Sequence, residues 1–191
     1  MAKAWIEGNN IFITMDETIA PKDAINVPDN TTPQDLVIDN GQLRLKTEEE
    51  KLQDKKQELL QQLPDKTKAY IEKYYPEVKQ RSDINDKENG ESYLVLQGFD
   101  TATIRKDITA ITLQNYPDFA NALQSLTSKY NTTNQLVSYW LTQLLKVAFR
   151  NYFVFLVKQE FSTIKQTIEN ATTIEELPQK IDFTTQFPAG L

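Results

Sequence analysis

The segment from Thr133 to Ala171 has the longest uninterrupted hydrophobic period in the chain. Its apolar residues recur at offsets of three, four and seven, which is the spacing of one face of an α-helix. They are Leu136, Val137, Trp140, Leu141, Leu144, Leu145, Ala148, Phe149, Tyr152, Phe153, Leu156, Phe161, Ile164 and Ile168. A helix with such a face must bury it against other elements. The segment therefore predicts a core-facing helix in a mostly helical protein.

Part of this helix is apolar enough to raise the question of a membrane span. Residues 136–157 number 22, which is sufficient to cross a bilayer. However, Lys146 and Arg150 lie near the middle, and each costs about 2.5–3.5 kcal/mol on insertion. We therefore predict no membrane contact. Because Phe155 lies off the main stripe, we expect burial on two sides, either in the middle of a bundle or as a homo-oligomer through the 133–171 helix.

The first 46 residues predict a small antiparallel β head. Residues 3–7 and 11–15 are apolar β-formers around Gly8-Asn9-Asn10, and residues 36–38 and 42–45 flank Asp39-Asn40-Gly41. Asn-Gly between two such runs is the strongest local signal for a hairpin. Residues 19–34, with three prolines, are expected to form a loop with little regular structure.

A helical stalk is predicted to follow the head directly. Thr47 and Glu50 have the spacing of a capping box, and acidic residues fill the first turn of a helix expected over residues 48–62. Pro64 is expected to break this helix, which restarts at Asp65 and runs to Tyr75.

The remaining residues predict a helical body. Residues 77–91 are polar, and we expect a solvated loop over residues 83–90 with a turn at Asn89-Gly90. Residues 92–98 fit helix or strand and favour helix. Helical spacing resumes from residues 101 and 119, and 173–177 is expected to form a short helix before an extended tail. The prediction is α+β, mostly α: a β head (1–46), charged stalk helices (47–76) and a bundle-like helical body with an extended tail (77–191).

Composition excludes several classes of function. The net charge is −6, and residues 1–98 carry 13 basic and 19 acidic side chains, so phosphate backbones would be repelled and no nucleic-acid partner is expected. With no Cys and no His, the chain has no disulfide, thiolate nucleophile, imidazole base or Cys/His zinc site. No apolar stretch of a signal peptide occurs at the N-terminus, and we expect synthesis in the cytoplasm.

Carboxylate pairs are the only candidates for acid/base or metal chemistry. These pairs are Asp83 with Asp86, Glu175 with Glu176, and Asp16 with Glu17. Residues 83–90 also resemble the start of a calcium loop, but Leu94 occupies the position where such a loop needs glutamate. We therefore assign no catalytic, cofactor-binding or metal-binding residue, and expect no enzyme activity and no cofactor.

The order of these parts resembles that of bacteriophage tail-fibre assembly and tail accessory proteins. The resemblance rests on the β head ending in the Asp-Asn-Gly hairpin, the Lys/Glu/Gln-rich helix, residues 75–83, and the ending at 171–183 followed by Phe187-Pro188. It implies a non-enzymatic structural or assembly protein of a phage or prophage tail that binds a fibre, baseplate or other virion partner, and a location in the host cytoplasm or the virion.

Two other functions stay open at this stage. The acidic 47–91 region could mimic a charged ligand, as in a soluble inhibitor or regulatory binding protein. A hydrolase that uses a pair of carboxylates ranks last.

Overall fold

The computed structural model describes residues 1–8 and 10–191. The fold is α+β and mostly α, with 61% helix and 12% strand, which confirms the predicted class. The strands are β1 (Ala2–Glu7), β2 (Asn10–Thr14), β3 (Ile25–Val27), β4 (Leu36–Asp39) and β5 (Gln42–Leu45). The helices are α1 (Glu48–Tyr74), α2 (Glu77–Leu96), α3 (Thr101–Asn115), α4 (Phe119–Lys129) and α5 (Gln135–Asn170). Two short 3-10 turns lie at Pro33–Asp35 and Ile174–Glu176.

The chain divides into two compact units that do not follow chain order. The first comprises Met1–Leu60 and Ile168–Pro178, and the second comprises Gln61–Thr167 and Gln179–Leu191. Helices α1 and α5 each contribute residues to both units. The three-part division at residues 46 and 76 stays a prediction.

The first unit contains two antiparallel sheets. One has the strand order β2-β1-β3, and the other pairs β4 with β5. Asn40 and Gly41 both have positive φ, at 51° and 81°, as a two-residue hairpin turn requires, so the Asn-Gly hairpin is confirmed. The first predicted turn includes Asn9, which lies outside the described residues. The buried residues of the sheets are Ala2, Ala4, Val27 and Leu36.

The expected loop at 19–34 is corrected in one place. Ile25–Val27 forms strand β3, which pairs with Ala2–Ala4 of β1. This short run forms a strand because Val27 and Ile25 pack beside the small side chains of Ala2 and Ala4, which buries their apolar surface. The strand was missed in the sequence because prolines lie on either side of it.

The predicted capping box is confirmed at the start of α1. The Thr47 N–H donates to Glu50 Oε2 (2.8 Å) and the Glu50 N–H donates to Thr47 Oγ1 (3.2 Å). Arg44 on β5 donates two hydrogen bonds to the same carboxylate. Together with the Thr47 N–H, Arg44 lowers the pKa of Glu50 to about 2. The hairpin and the helix are therefore joined by one ionised side chain.

The predicted break at Pro64 is wrong, because α1 runs through it to Tyr74. Proline removes one backbone hydrogen bond from a helix interior. Here Leu63 and Thr67 on either side are buried, and the Thr67 hydroxyl donates to the Leu63 carbonyl at 2.6 Å. Burial of this stretch outweighs the local preference for a break.

The solvated loop with a turn at Asn89-Gly90 is also wrong, because residues 77–96 form α2. Gly90 is buried where α5 comes close: a Cβ at Gly90 would lie 3.0 Å from Trp140 Cε3 and 3.5 Å from Leu144 Cδ2. Gly90 therefore allows α2 to approach α5 closely, and the residues on either side of it are helical rather than strands of a hairpin. The same helix confirms the preference for helix in residues 92–96.

The long helix is confirmed as α5, without a break near Asn151. Asn134 caps it, since its side-chain oxygen accepts from the N–H groups of Leu136 (3.0 Å) and Val137 (3.3 Å). The expected short helix at 173–177 is a 3-10 turn, and residues 181–188 have neither helix nor strand. Among the described residues, no helix has both the length and the apolar content to cross a membrane.

One hydrophobic cluster of the second unit is built mainly from α3, α4 and α5. Its buried members are Leu94, Ile104, Ile108, Ile111, Phe119, Ala122, Leu126, Val137, Leu141, Leu144, Leu145 and Phe149. The helical periodicity from residue 101 onward placed most of these side chains on buried faces.

Gly90→Val tests whether the close contact of α2 with α5 requires a glycine. The added side chain would press on the Trp140 ring, and overpacking of this kind costs about 1–3 kcal/mol. We expect a loss of that size in the free energy of unfolding, measured by urea denaturation. Asn89→Val places the same side chain at the neighbouring exposed position and should cost less than about 1 kcal/mol. Equal losses for the two variants would contradict the packing explanation.

Candidate functional site

A buried cluster of charged and polar side chains joins α2 to α5 in the second unit. Asp83 on α2 is 1% exposed, and Arg150 on α5 is 6% exposed. Arg150 Nη1 lies 2.9 Å from both carboxylate oxygens of Asp83. Lys79 Nζ lies 2.8 Å from Oδ1, and the Tyr75 hydroxyl donates to Oδ2 at 2.9 Å. Three side chains therefore donate to one carboxylate.

The protonation states in this cluster follow from its contacts. Burial would raise the pKa of Asp83, but hydrogen bonds from Lys79, Arg150 and Tyr75 outweigh it and hold the pKa below the ordinary 3.8. Burial raises the pKa of the Tyr75 hydroxyl, and its hydrogen bond to Asp83 raises it further. At neutral pH the carboxylate is ionised and the phenol is neutral, so the cluster is a stable set of ion pairs.

The structure gives each predicted carboxylate pair a local partner. Asp83 and Asp86 lie one turn apart on α2, and Lys79 contacts both, at 2.8 Å and 3.7 Å. Asp16 accepts from Thr18, and Glu176 accepts from the Thr172 N–H at 2.6 Å. In the described part of the chain, no three acidic residues come together as a metal site would need. The resemblance of residues 83–90 to a calcium loop fails because they are helical.

An open groove lies beside the buried cluster. It has a volume of about 750 Å³ and is formed by α1, the start of α2, and α5. Its lining residues are Pro64, Thr67, Lys68, Ile71, Glu72, Glu77, Gln80, Val154, Lys158, Phe161 and Ser162. We call this feature the α1/α5 groove. Its apolar surface comes from Ile71, Val154 and Phe161, which are only partly buried.

The charges around the α1/α5 groove are paired, with one exception. Glu77 contacts Arg81 at 2.6 Å, and Glu72 lies 3.8 Å from Lys68. Lys158 is exposed and forms no ion pair within residues 1–8 and 10–191. The groove therefore combines an apolar surface with one uncompensated positive charge.

The groove is tied to the buried cluster through Gln80. Its side-chain amide donates to the Tyr75 carbonyl at 2.8 Å, while the Tyr75 hydroxyl contacts Asp83. Gln80 also lines the groove. The position of the first turn of α2, and hence one wall of the groove, depends on the Asp83 contacts.

A different face of α1 and α5 is covered by the C-terminal tail. The Phe183 ring lies 5.2 Å from Tyr70, and the Phe187 ring stacks on Tyr74 at 5.6 Å and meets Phe153 edge-on at 5.1 Å. Tyr70 and Phe153 are the immediate sequence neighbours of the groove residues Ile71 and Val154. Successive helical residues point about 100° apart, so the tail and the groove occupy separate faces.

Polar contacts hold the backbone of the tail. The Glu160 carboxylate accepts the N–H groups of Thr184 (3.0 Å) and Thr185 (3.2 Å), together with both threonine hydroxyls. The Tyr70 hydroxyl donates to the Thr185 carbonyl at 2.7 Å. The tail shows that this helix pair binds an extended segment through aromatic rings and backbone hydrogen bonds.

Sequence reasoning missed the partnership of Asp83 with Arg150. Arg150 in the middle of an apolar helix was used only as an argument against a membrane span. The same feature could have suggested a buried acidic partner, but not which carboxylate it would be. The rings of α5 are divided: Phe149 and Phe153 are buried within the chain, whereas Phe155 is 50% exposed and stacks on Tyr152.

Comparisons with protein-family models, with curated proteins and with solved structures find no match to this chain.

Asp83→Asn tests the role of the buried cluster. The amide removes the negative charge and leaves Arg150 buried without its counter-ion, which typically costs about 3–5 kcal/mol. We expect a loss of that size in the free energy of unfolding at pH 7, measured by urea denaturation. Asp65→Asn, at an exposed position of α1, should change stability by less than about 0.5 kcal/mol.

The pH dependence of this effect has a defined sign. The pKa of Asp83 is lower in the folded state than its ordinary 3.8, so its contribution is present above pH 4 and lost as pH falls through the folded-state pKa. We therefore expect the difference between wild type and Asp83→Asn to shrink steadily below pH 4. A difference that stays constant down to pH 2 would contradict ionisation of Asp83 in the folded protein.

Glu160→Ala tests how the tail is held. The substitution leaves the N–H groups of Thr184 and Thr185 without their acceptor and removes the contact of both hydroxyls. We expect hydrogen exchange of residues 181–188 to accelerate at least tenfold, while α3 and α4 keep their protection. The control is Gln166→Ala, at an exposed position of the same helix. If both variants exchange alike, the carboxylate does not hold the tail.

Proposed function

We propose that the protein is a non-enzymatic, tail-associated structural or assembly protein of a phage or prophage, and that it binds a fibre, baseplate or other virion partner through the α1/α5 groove. The observation that carries the proposal is the groove itself, which is large, open, partly apolar and bordered by the unpaired Lys158. The sequence resemblance to tail accessory proteins supports the class of partner. The location that follows is the host cytoplasm during synthesis, and the virion as well if the protein is a structural component rather than an assembly factor.

The chemistry of the groove favours an extended partner segment with an apolar side chain and a carboxylate. Ile71, Val154 and Phe161 offer apolar contacts that water now covers, and burying them against a partner is favourable. Lys158 lacks a counter-ion, and a carboxylate from the partner would supply one. The tail, which uses Phe183 and Phe187 on a separate face of the same helices, is an example of such a segment within the chain.

Self-association through the 133–171 helix is a further part of this proposal. Most apolar side chains of α5 are buried or partly buried within the chain, but Leu136, Tyr139 and Phe155 are between 49% and 57% exposed. These are the side chains that a subunit contact on α5 would cover.

Filling the groove tests the proposed partner site. Ser162 lines the groove, is exposed, and its hydroxyl donates to the carbonyl four residues earlier. Ser162→Trp should occupy the groove without removing a core contact. Titration calorimetry with purified fibre and baseplate proteins encoded beside this chain should show binding to one of them, weakened at least tenfold by Ser162→Trp. Ser125→Trp is the matched control, since Ser125 is exposed on α4 and makes the same i−4 hydrogen bond.

Reversing the one unpaired charge is the companion measurement. Lys158→Glu should weaken the same binding about tenfold and remove part of its salt dependence, because the carboxylate of the partner would then meet a like charge. Lys106→Glu makes the same charge change at an exposed position of α3 outside the groove, and should leave binding unchanged. Loss of binding in both controls, or no binding to any tail protein, would overturn the proposal.

A further inference from the structure

Strand β2 lies at an open edge of the three-stranded sheet. The strand order is β2-β1-β3, so β1 is central and β2 has a neighbour on one side only. The 3-10 turn Pro33–Asp35 approaches β2, but within the described residues it makes no hydrogen bond to it. An edge strand of this kind is a template for pairing with another strand.

The register of the hairpin shows which backbone groups remain unpaired. Glu7 pairs with Asn10 next to a two-residue connection, and Trp5 pairs with Phe12. In an antiparallel pair, hydrogen-bonded and non-hydrogen-bonded residue pairs alternate, and the pair that closes a two-residue loop is hydrogen-bonded. Asn10, Phe12 and Thr14 therefore bond to β1. The N–H and C=O groups of Ile11 and Ile13 point away from the sheet.

The strand lacks a bulge, a charged side chain and a proline, which are three of the features that commonly prevent edge pairing. Its pairing with β1 is one-to-one over all five residues, so it contains no bulge. Residues 10–15 read Asn-Ile-Phe-Ile-Thr-Met, with no charged residue, proline or glycine. Ile, Phe and Thr are strong strand formers. The edge of β2 is therefore regular and uncharged, and its outward backbone groups are available to pair with another strand.

We infer that β2 is a self-association site that takes β2 of a second copy of this chain in antiparallel orientation. A two-fold axis beside Phe12 places Ile11 opposite Ile13 of the other copy, and Ile13 opposite Ile11. The outward N–H and C=O groups of these residues then bond to one another, which gives four hydrogen bonds across the axis. Each copy contributes three strands, and the result is one continuous six-stranded sheet.

The side chains of this strand are complementary to themselves about that axis. Phe12 meets Phe12 of the second copy, and Asn10 meets Thr14 on the same face. Phe12 is 39% exposed and already stacks on Trp5 at 5.6 Å, so pairing extends a two-ring stack into a row of four rings. Cross-strand aromatic pairs are among the stabilising contacts of sheets.

The charge distribution of the chain is compatible with a second copy at this edge. A symmetric contact brings each residue near its own counterpart, so a chain of net charge −6 associates most easily through an uncharged surface. In the proposed register the row that contains Glu7 and Asn10 continues through Thr14 to Lys3 of the second copy. Each such cross-strand row therefore contains one acidic and one basic side chain.

Disulfide trapping tests the register directly. The chain contains no cysteine, so a disulfide in a single-cysteine variant must link two chains. Phe12→Cys would place two thiols in a non-hydrogen-bonded cross-strand pair, where the Cβ atoms approach within reach of a disulfide. Under mild oxidation we expect cross-linked dimer to form at least tenfold faster than with Asn26→Cys. Asn26 is exposed on the same sheet, at the opposite edge. Equal rates for the two variants would overturn the inference.

Charge reversal at one position supplies a second, independent measurement. Sedimentation of the wild type should show a monomer–dimer equilibrium, which Phe12→Lys and Phe12→Glu each weaken at least tenfold. An equimolar mixture of the two variants should restore association, because residue 12 faces itself. Asn26→Lys should leave the equilibrium unchanged, and circular dichroism should show every variant folded. A wild type that stays monomeric at every concentration, or a dimer abolished by Phe155→Lys but not by Phe12→Lys, would overturn the inference.

Discussion

The ion pair between Asp83 and Arg150 is the contact on which the arrangement of the second unit depends. Helix α2 has 20 residues, and only Asp83, Gly90 and Leu94 among them are buried. Such a helix lacks the apolar stripe that normally fixes a helix against its neighbours. Its register against α5 is set instead by one carboxylate that accepts from three side chains and by a glycine beside Trp140. A buried ion pair often adds little net stability, but it discriminates strongly against arrangements that leave either charge alone.

A chain of hydrogen bonds connects the Asp83–Arg150 ion pair to the α1/α5 groove. Asp83 holds the Tyr75 hydroxyl, the Tyr75 carbonyl holds the Gln80 side chain, and Gln80 forms part of the groove wall. A binding surface built on the end of a polar helix would otherwise be poorly defined. Because each step is a hydrogen bond with a specific donor and acceptor, the groove has a fixed wall where α2 begins.

The parts of the fold that sequence could predict are those encoded within a few residues. The Asn40-Gly41 turn, the Thr47–Glu50 capping box and the period of α5 are local, and all three are confirmed. The predictions at Pro64 and Gly90 were wrong because tertiary packing around these residues outweighed their local conformational preferences. The candidate site was harder still. Asp83 and Arg150 are 67 residues apart, and no local sequence pattern around either residue identifies the other as its partner.

The distribution of satisfied and unsatisfied groups is the reason for proposing a binding role. Asp83 and Glu160 each accept several hydrogen bonds from their own chain, so their lone pairs already serve packing and the tail. Proton transfer needs a group whose hydrogen bonds can be exchanged with a substrate. The unsatisfied features are of another kind: the groove offers apolar surface and one unpaired ammonium group, and β2 offers backbone N–H and C=O groups. Apolar surface and strand edges recognise other polypeptides, through side-chain burial and through backbone pairing respectively. The two proposed contacts, one with a second copy and one with a different partner, therefore use surfaces of different chemistry.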